Sequence, residues 1–178
     1  MRNKLMALCT LVFILTAARS QNLKDYLKVS VDEATLPVLV RGNLSNNRIL
    51  LYVQGGPGET AIDFARSDYP FWKKTLENQV AIAYYDQRGL NQPKGKIDAT
   101  KINYDQYSKD ILAIASMLKK KYKTDVYLFG HSAGGTFVKH CIENHPNESA
   151  FISGAILMNT PITNGYSDLR YNYYRPLF

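Results

Sequence analysis

A chain of 178 residues with 46% hydrophobic and 21% charged residues has the balance of an ordinary globular domain, which excludes disorder over most of its length. Its net charge of +7 is raised by Arg2, Lys4 and Arg19 near the amino end. Apart from Lys119-Lys120-Lys121 the remaining cations are scattered, which argues against nucleic acid as a partner.

The first residues have the layout of a secretory signal: a basic start in Met1-Arg2-Asn3-Lys4, an apolar stretch over 5–18, and small Ala18 and Ser20 at a cleavage point. This predicts a signal peptide over 1–20, a folded domain over 21–178, and an exported protein, periplasmic or extracellular. The apolar stretch is shorter than the roughly 20 residues a spanning helix needs, so no stable membrane span is expected; an uncleaved anchor is the alternative. Removing the leader takes Cys9 with it and leaves Cys141, which excludes an internal disulfide. Cys141 shares the apolar side of a helical pattern with Phe137, Val138 and Ile142 and reads as a core residue, not a nucleophile.

In chain order, 36–40 reads as a strand that Pro37 places near an edge, because proline removes a ladder donor. The turn-rich 42–47 follows. Runs 49–53 and 80–85 are continuously apolar, as in strands covered on both faces. Between them, 61–76 reads as two short helices separated at Pro70. A longer helix spans 103–122, with Tyr107, Ile111, Ile114, Ala115, Leu118 and Tyr122 on one stripe. Asn103 caps its start, and Gln106 is placed to answer as in a capping box. Strand 126–129, a sharp turn, helix 134–144 stopped before Pro146, and strand 152–158 complete the pattern.

Strands alternating with helices over short connections predict an α/β fold, with a mostly parallel sheet and helices on both faces. The loops after Val53, Tyr85 and Phe129 then all leave the carboxyl edge, where such sheets bind ligands. Two of them carry the chemistry of an acyl transfer. Gly130-His131-Ser132-Ala133-Gly134 joins a strand to a helix, the context of a nucleophile elbow that holds a serine hydroxyl exposed. The Ala133 N–H, at the helix start, is placed to receive developing negative charge. Gln54-Gly55-Gly56-Pro57-Gly58 lets the main chain approach a substrate carbonyl, and the Gly56 N–H, with Gly55 the alternative, is the candidate second donor.

These two motifs, with Tyr85-Asp86-Gln87-Arg88-Gly89 between them, occur in the order found in the α/β-hydrolase superfamily and look most like its proline iminopeptidase branch. The resemblance covers about 36–158. It implies Ser132 as nucleophile, Gly56 and Ala133 as oxyanion donors, and a structural role for Asp86 and Arg88, with Arg88 bracing neighbouring loops. For Asp86 the functional alternative is a triad acid. Gly130 and Gly134 are structural, and Gln54, Gly55 and His131 are the candidate substrate-binding residues. Two positions depart from the branch: Gln54 stands where histidine is usual, and His131 and Ala133 stand where glycine and tryptophan are common. The substrate, a small molecule or a short peptide, therefore stays open between an amino-terminal peptide bond and an ester.

In such enzymes the triad acid and histidine follow the serine. Asp168 is a candidate acid of the variant kind, while His131, His140 and His145 read as surface or capping residues. Tyr166, Tyr171, Tyr173, Tyr174, Leu177 and Phe178 read as the entrance to a cap, and the last strand presents an apolar edge. The chain is thus expected to be the amino-terminal part of a serine hydrolase acting through an acyl-enzyme, with cap and last strands absent. The alternative is a catalytically inactive binding protein that keeps the pocket without the base. No metal or organic cofactor is expected, because no histidine and carboxylate cluster has ligand spacing in the sequence.

Overall fold

The order of strands across the sheet fixes where a ligand can enter. In the computed structural model, which describes residues 22–56, 60–67, 71–90 and 102–160, the strands are β1 (Asn22–Val31), β2 (Ala34–Asn43), β3 (Arg48–Val53), β4 (Ala81–Tyr85), β5 (Asp125–His131) and β6 (Gly154–Met158). They form one sheet in the order β1-β2-β4-β3-β5-β6. The pairs of β1 with β2 and of β2 with β4 are antiparallel, and β4, β3, β5 and β6 run parallel. The leader 1–20, Pro57, Gly58, Pro70, Asp168 and the aromatic tail lie outside the described residues.

The continuous apolar strands are covered on both faces, as their composition requires. One face buries Val38, Val40, Ile49, Leu51, Val53, Ala83, Val126 and Leu128 against Ile111, Ile114, Leu118, Val138 and Cys141. These come from helices α3 (Tyr104–Tyr122) and α4 (Ala133–Asn144). The other face buries Leu39, Leu50, Tyr52, Ile82, Tyr84 and Phe129 against Ala61, Ile62 and Ala65 of α1 (Ala61–Arg66). Each such side chain contributes roughly 1.5–3 kcal/mol on burial.

On the α1 side the chain continues through a π-helical turn (Trp72–Leu76) into α2 (Glu77–Gln79). Trp72 of that turn lies nearly parallel to Phe129 at 5.4 Å and edge-on to Tyr52 at 5.2 Å and Phe64 at 5.2 Å. Beneath it, Arg41 of β2 donates twice to Glu77, at 2.6 and 2.7 Å, and the Tyr84 hydroxyl donates to the same carboxylate at 2.7 Å. A short helix α5 (Pro146–Ser149) follows α4.

Four expectations change. Pro37 does not mark an edge: β2 lies second, flanked by β1 and β4, and β1 is the outer strand. The proline is tolerated because it lies one residue outside the β2–β4 ladder, which begins at Val38, where no donor is required of it, and its carbonyl still accepts the Asp86 N–H at 3.3 Å. The capping box is half formed. Asn103 Oδ1 accepts the Gln106 N–H at 2.8 Å, but the Gln106 amide reaches Asp32 at 3.0 Å instead of the cap. Ile142 is exposed, whereas Val138 and Cys141 are fully buried. His140, expected as a surface or capping residue, is half-buried toward α3, where its Nδ1 meets Ser108 Oγ at 3.2 Å.

Candidate active site

The chain passes from β3 through α1 to β4 on one side, and from β4 through α3 to β5 on the other. The connections that leave β3 and β5 therefore diverge, with α1 on one face and α4 on the opposite face. Such a switch point opens a crevice beyond the carboxyl ends of the two strands. Register places the ends side by side, Val53 opposite Gly130, and His131 opposite Met158 of β6. The segment 54–56 and the Ser132 turn thus form the two walls of the crevice.

Ser132 has φ 52° and ψ −123°, a conformation that L residues other than glycine rarely adopt. It is held there by its neighbours. Its N–H donates to the Met158 carbonyl at 2.9 Å, and its own carbonyl accepts the Gly135 N–H at 3.0 Å. The turn is tight enough that a Cβ on Gly130 would sit 2.5 Å from Gly135 Cα. A Cβ on Gly134 would strike the Val53 carbonyl and come within 2.6 Å of the Gln54 carbonyl. Gly130 thus lets the first turn of α4 fold back on the end of β5, and Gly134 lets it press against the end of β3.

The glycine loop meets the elbow through Gly55. A Cβ there would stand 2.7 Å from Ser132 Cβ and 2.9 Å from the Ala133 nitrogen. Gly56 follows at φ +75°, exposed, with open space where its Cβ would point. Its amide is one peptide link from the Gly55 α-carbon, which packs against the elbow. Ala133 is the first residue of α4, so its N–H lies at the positive end of the helix dipole. Gln54 is buried with its Oε1 lacking a hydrogen-bond partner among the described residues, and His131 is half-buried at the end of β5.

The turn after β4 supports this wall. Asp86 is buried, and its Oδ1 accepts the Ile62 N–H at 3.0 Å, which satisfies one of the open donors at the start of α1. Thr60 accepts the Asp63 N–H at 3.2 Å in the same first turn. Gln87 donates to the Gln54 carbonyl at 2.6 Å and so ties the glycine loop down directly. Arg88 donates to both oxygens of Asp110 on α3, at 3.0 and 2.6 Å, and to the Val31 carbonyl at 3.3 Å. Burial pushes the Asp110 carboxyl above its ordinary range, against the pull of Arg88. The bond to Asp110 holds the Arg88 guanidinium above its own. The roles of Gln87 and Asp110 were not legible in the sequence, because their partners lie on distant segments.

The other reactive side chains stand apart. Cys141 is fully buried, which pushes its thiol up to about 11 and leaves it inert at neutral pH. At 1.5 Å of rise per residue, His140 lies roughly 12 Å along α4 from Ser132 and His145 roughly 18 Å or more, beyond hydrogen-bond reach. Both instead face Asp105 at 3.6 and 3.7 Å. The sequence spacing gave no sign of this histidine and carboxylate cluster, which exists only because α3 packs on α4.

Comparison with known proteins agrees with this geometry. Residues 65–170 match the family described as Serine aminopeptidase, S33. The protein named "Probable aminopeptidase YbaC" of Bacillus subtilis is 26% identical over 122 residues, covering 67% of this chain and 37% of its own length. A proline iminopeptidase-related protein from Thermus thermophilus superposes with a TM-score of 0.60 at 24% identity, over 78% of this chain and 45% of its own. A prohormone-processing carboxypeptidase from Saccharomyces cerevisiae superposes at 0.57 with 16% identity, over 90% of this chain and 44% of its own. The chain thus spans less than half the length of each of these relatives, and the two structural likenesses speak for the fold. With the family match covering most of the chain and the sheet, elbow and glycine loop arranged as described, the chain belongs to the S33 serine aminopeptidase family of α/β-hydrolases and resembles its proline iminopeptidase branch.

Proposed function

We propose that Ser132 is the nucleophile of a serine hydrolase that cleaves an amino-terminal peptide bond or an ester through an acyl-enzyme. The observation that carries this reading is the backbone of Ser132, φ 52° and ψ −123°, kept at the switch-point crevice with Gly55 packed against its Cβ. A conformation costing on the order of 1–3 kcal/mol persists where surrounding contacts over-determine it, and sites of chemistry are where such strain collects.

In this reading Ser132 Oγ attacks the substrate carbonyl carbon, and the carbonyl oxygen takes the negative charge. The N–H groups of Ala133 and Gly56, with Gly55 the alternative, receive that oxygen. One such donor is typically worth about 10²–10³ in rate. Collapse of the tetrahedral species expels the amine or alcohol, which takes up the proton first drawn from Ser132, and water then releases the acyl group from Ser132 as an acid and restores the hydroxyl proton. The hydroxyl's proton goes to a histidine supplied by the part of the relatives' length that this chain does not span, since His140 and His145 stand toward the far end of α4, out of hydrogen-bond reach of Ser132. Gln54 and His131 face the substrate. The enzyme is proposed to be exported, with residues 1–20 as its signal peptide.

The test is kinetic, on the full-length protein. Prolyl arylamide and p-nitrophenyl ester hydrolysis are compared, and both fall by on the order of 10⁶ in Ser132→Ala. A rate unchanged by that substitution removes the reading. The distance of His140 and His145 from Ser132 favours one rival, a binding protein that keeps the crevice without a base. That rival predicts no turnover and a ligand affinity indifferent to Ser132→Ala.

A further inference from the structure

Asp105 lies in the first turn of α3, His140 on α4, and His145 at the residue that ends α4. Helix packing brings their ligand atoms together. His140 Nε2 is 3.6 Å and His145 Nε2 3.7 Å from Asp105 Oδ1, and the three groups converge within 4.8 Å of one another. The proton on His140 is placed by Ser108. That hydroxyl donates its single hydrogen to the Tyr104 carbonyl at 2.9 Å, so its oxygen accepts the His140 Nδ1–H at 3.2 Å. In the neutral imidazole Nε2 then carries the lone pair, on the side of Asp105. This is the outer hydrogen bond that orients ligating histidines elsewhere. Tyr104 stacks on the imidazole at 5.3 Å and limits its rotation.

His145 Nε2 is buried and has no hydrogen-bond partner among the described residues. A lone pair, an orphaned nitrogen and a carboxylate oxygen thus face one point, and a cation satisfies all three. We propose that Asp105, His140 and His145 bind a divalent transition-metal ion, Zn²⁺ foremost, with a fourth position open to water. Two imidazoles and a single carboxylate suit zinc better than the hard cations that prefer all-oxygen sites. Bonds of about 2.0–2.2 Å in tetrahedral geometry separate ligand atoms by roughly 3.3 Å. The observed 3.6 and 3.7 Å close to that value through a small movement of Asp105, which is 73% exposed, and the imidazoles, whose ligand atoms lie within 4.8 Å, close the rest by side-chain rotation. The ion clamps the start of α3 to the end of α4, roughly 12 Å or more along α4 from Ser132, so it is a structural site separate from acyl transfer.

The test uses the full-length protein and ZnCl₂ alone, with binding read by calorimetry and by the imidazole resonances of the three histidines of this chain. One equivalent binds, the His140 and His145 signals shift, and that of His131 stays. Affinity falls by at least about 100-fold in His145→Gln and in Asp105→Asn, at or beyond the upper end of what losing an outer partner of a ligand costs, while Ser132→Ala binds zinc as before. Thermal unfolding of the unsubstituted protein rises with added zinc, and that rise disappears in both ligand variants. The proposal is overturned if no equivalent binds, which leaves an ordinary histidine and aspartate pair. It is equally overturned if binding survives both substitutions, or if His131 shifts in place of the other two.

Discussion

Gly55 is where a single methyl group separates structure from chemistry. Its Cβ position lies 2.7 Å from Ser132 Cβ and 2.9 Å from the Ala133 nitrogen, and neither the elbow backbone nor the glycine loop can yield without moving the reacting atoms. Gly55→Ala is therefore expected to lower hydrolysis by at least about 100-fold, the scale of losing an oxyanion donor, with a cooperative unfolding transition retained. Equal activity in this variant would show that the loop does not face the nucleophile. Cys141 gives a prediction of opposite character. Its thiol is held near 11 when folded against 9.0 as its ordinary value, so the folded state favours the neutral thiol. Stability from this group is complete below about pH 9 and declines as pH rises from there through 11. At pH 8 iodoacetamide should modify Cys141 in the denatured chain but not in the native one, as read by peptide mass. Both residues were legible in the sequence, because a glycine after a strand and a cysteine on an apolar stripe carry local signals. The zinc ligands were not, since His140, His145 and Asp105 become neighbours only through the packing of two helices.

Among the elements, the turn after β4 carries more of the site than its sequence discloses. Asp86 caps α1, Gln87 holds the Gln54 carbonyl and Arg88 reaches α3, so three consecutive side chains fasten three different segments around the crevice. Arg88→Ala leaves the Asp110 carboxylate buried without its partner and is expected to cost about 3–5 kcal/mol, read as a lower denaturant midpoint. A change under about 1 kcal/mol would show that the pair is not a structural anchor. The implied bracing role of Arg88 was thus readable from the family pattern, but its partner was not, because α3 offers several acidic and polar residues with no local mark on Asp110. Strand β1 was missed for a related reason. Its alternation of Leu23, Leu27 and Val29 with Lys24, Lys28 and Ser30 is interrupted by Tyr26, which is exposed, and the hairpin to β2 turns on Asp32 at φ 50° without a glycine to announce it. The aromatic group around Trp72 likewise depended on a π-helical turn that no periodicity suggests. Trp72→Ala should cost about 2–3 kcal/mol, below the roughly 3–5 kcal/mol of a fully buried tryptophan, because Trp72 is half-buried against Tyr52, Phe64 and Phe129. A change under about 0.5 kcal/mol, read from the denaturant midpoint, would show that these ring contacts carry no stability.

At the scale of the molecule, the fold was the most legible property, because two continuous apolar strands, the 103–122 stripe and the strand-turn-helix at Ser132 all predict one parallel sheet. The edge order was less so, since pairing partners are chosen by long-range packing and Pro37 gave a misleading local sign. What the fold achieves is a switch point at which divergent connections from β3 and β5 expose a strained serine between a glycine loop and a helix start. The central claim is that Ser132 at this point is a nucleophile. It is tested most directly by treating the full-length protein with a fluorophosphonate and locating the adduct by peptide mass. A single phosphonyl group on Ser132, lost when the protein is first denatured and absent in Ser132→Ala, is the result expected. Undiminished labelling of Ser132→Ala, or an unmodified Ser132 in the folded protein at saturating probe, would contradict it.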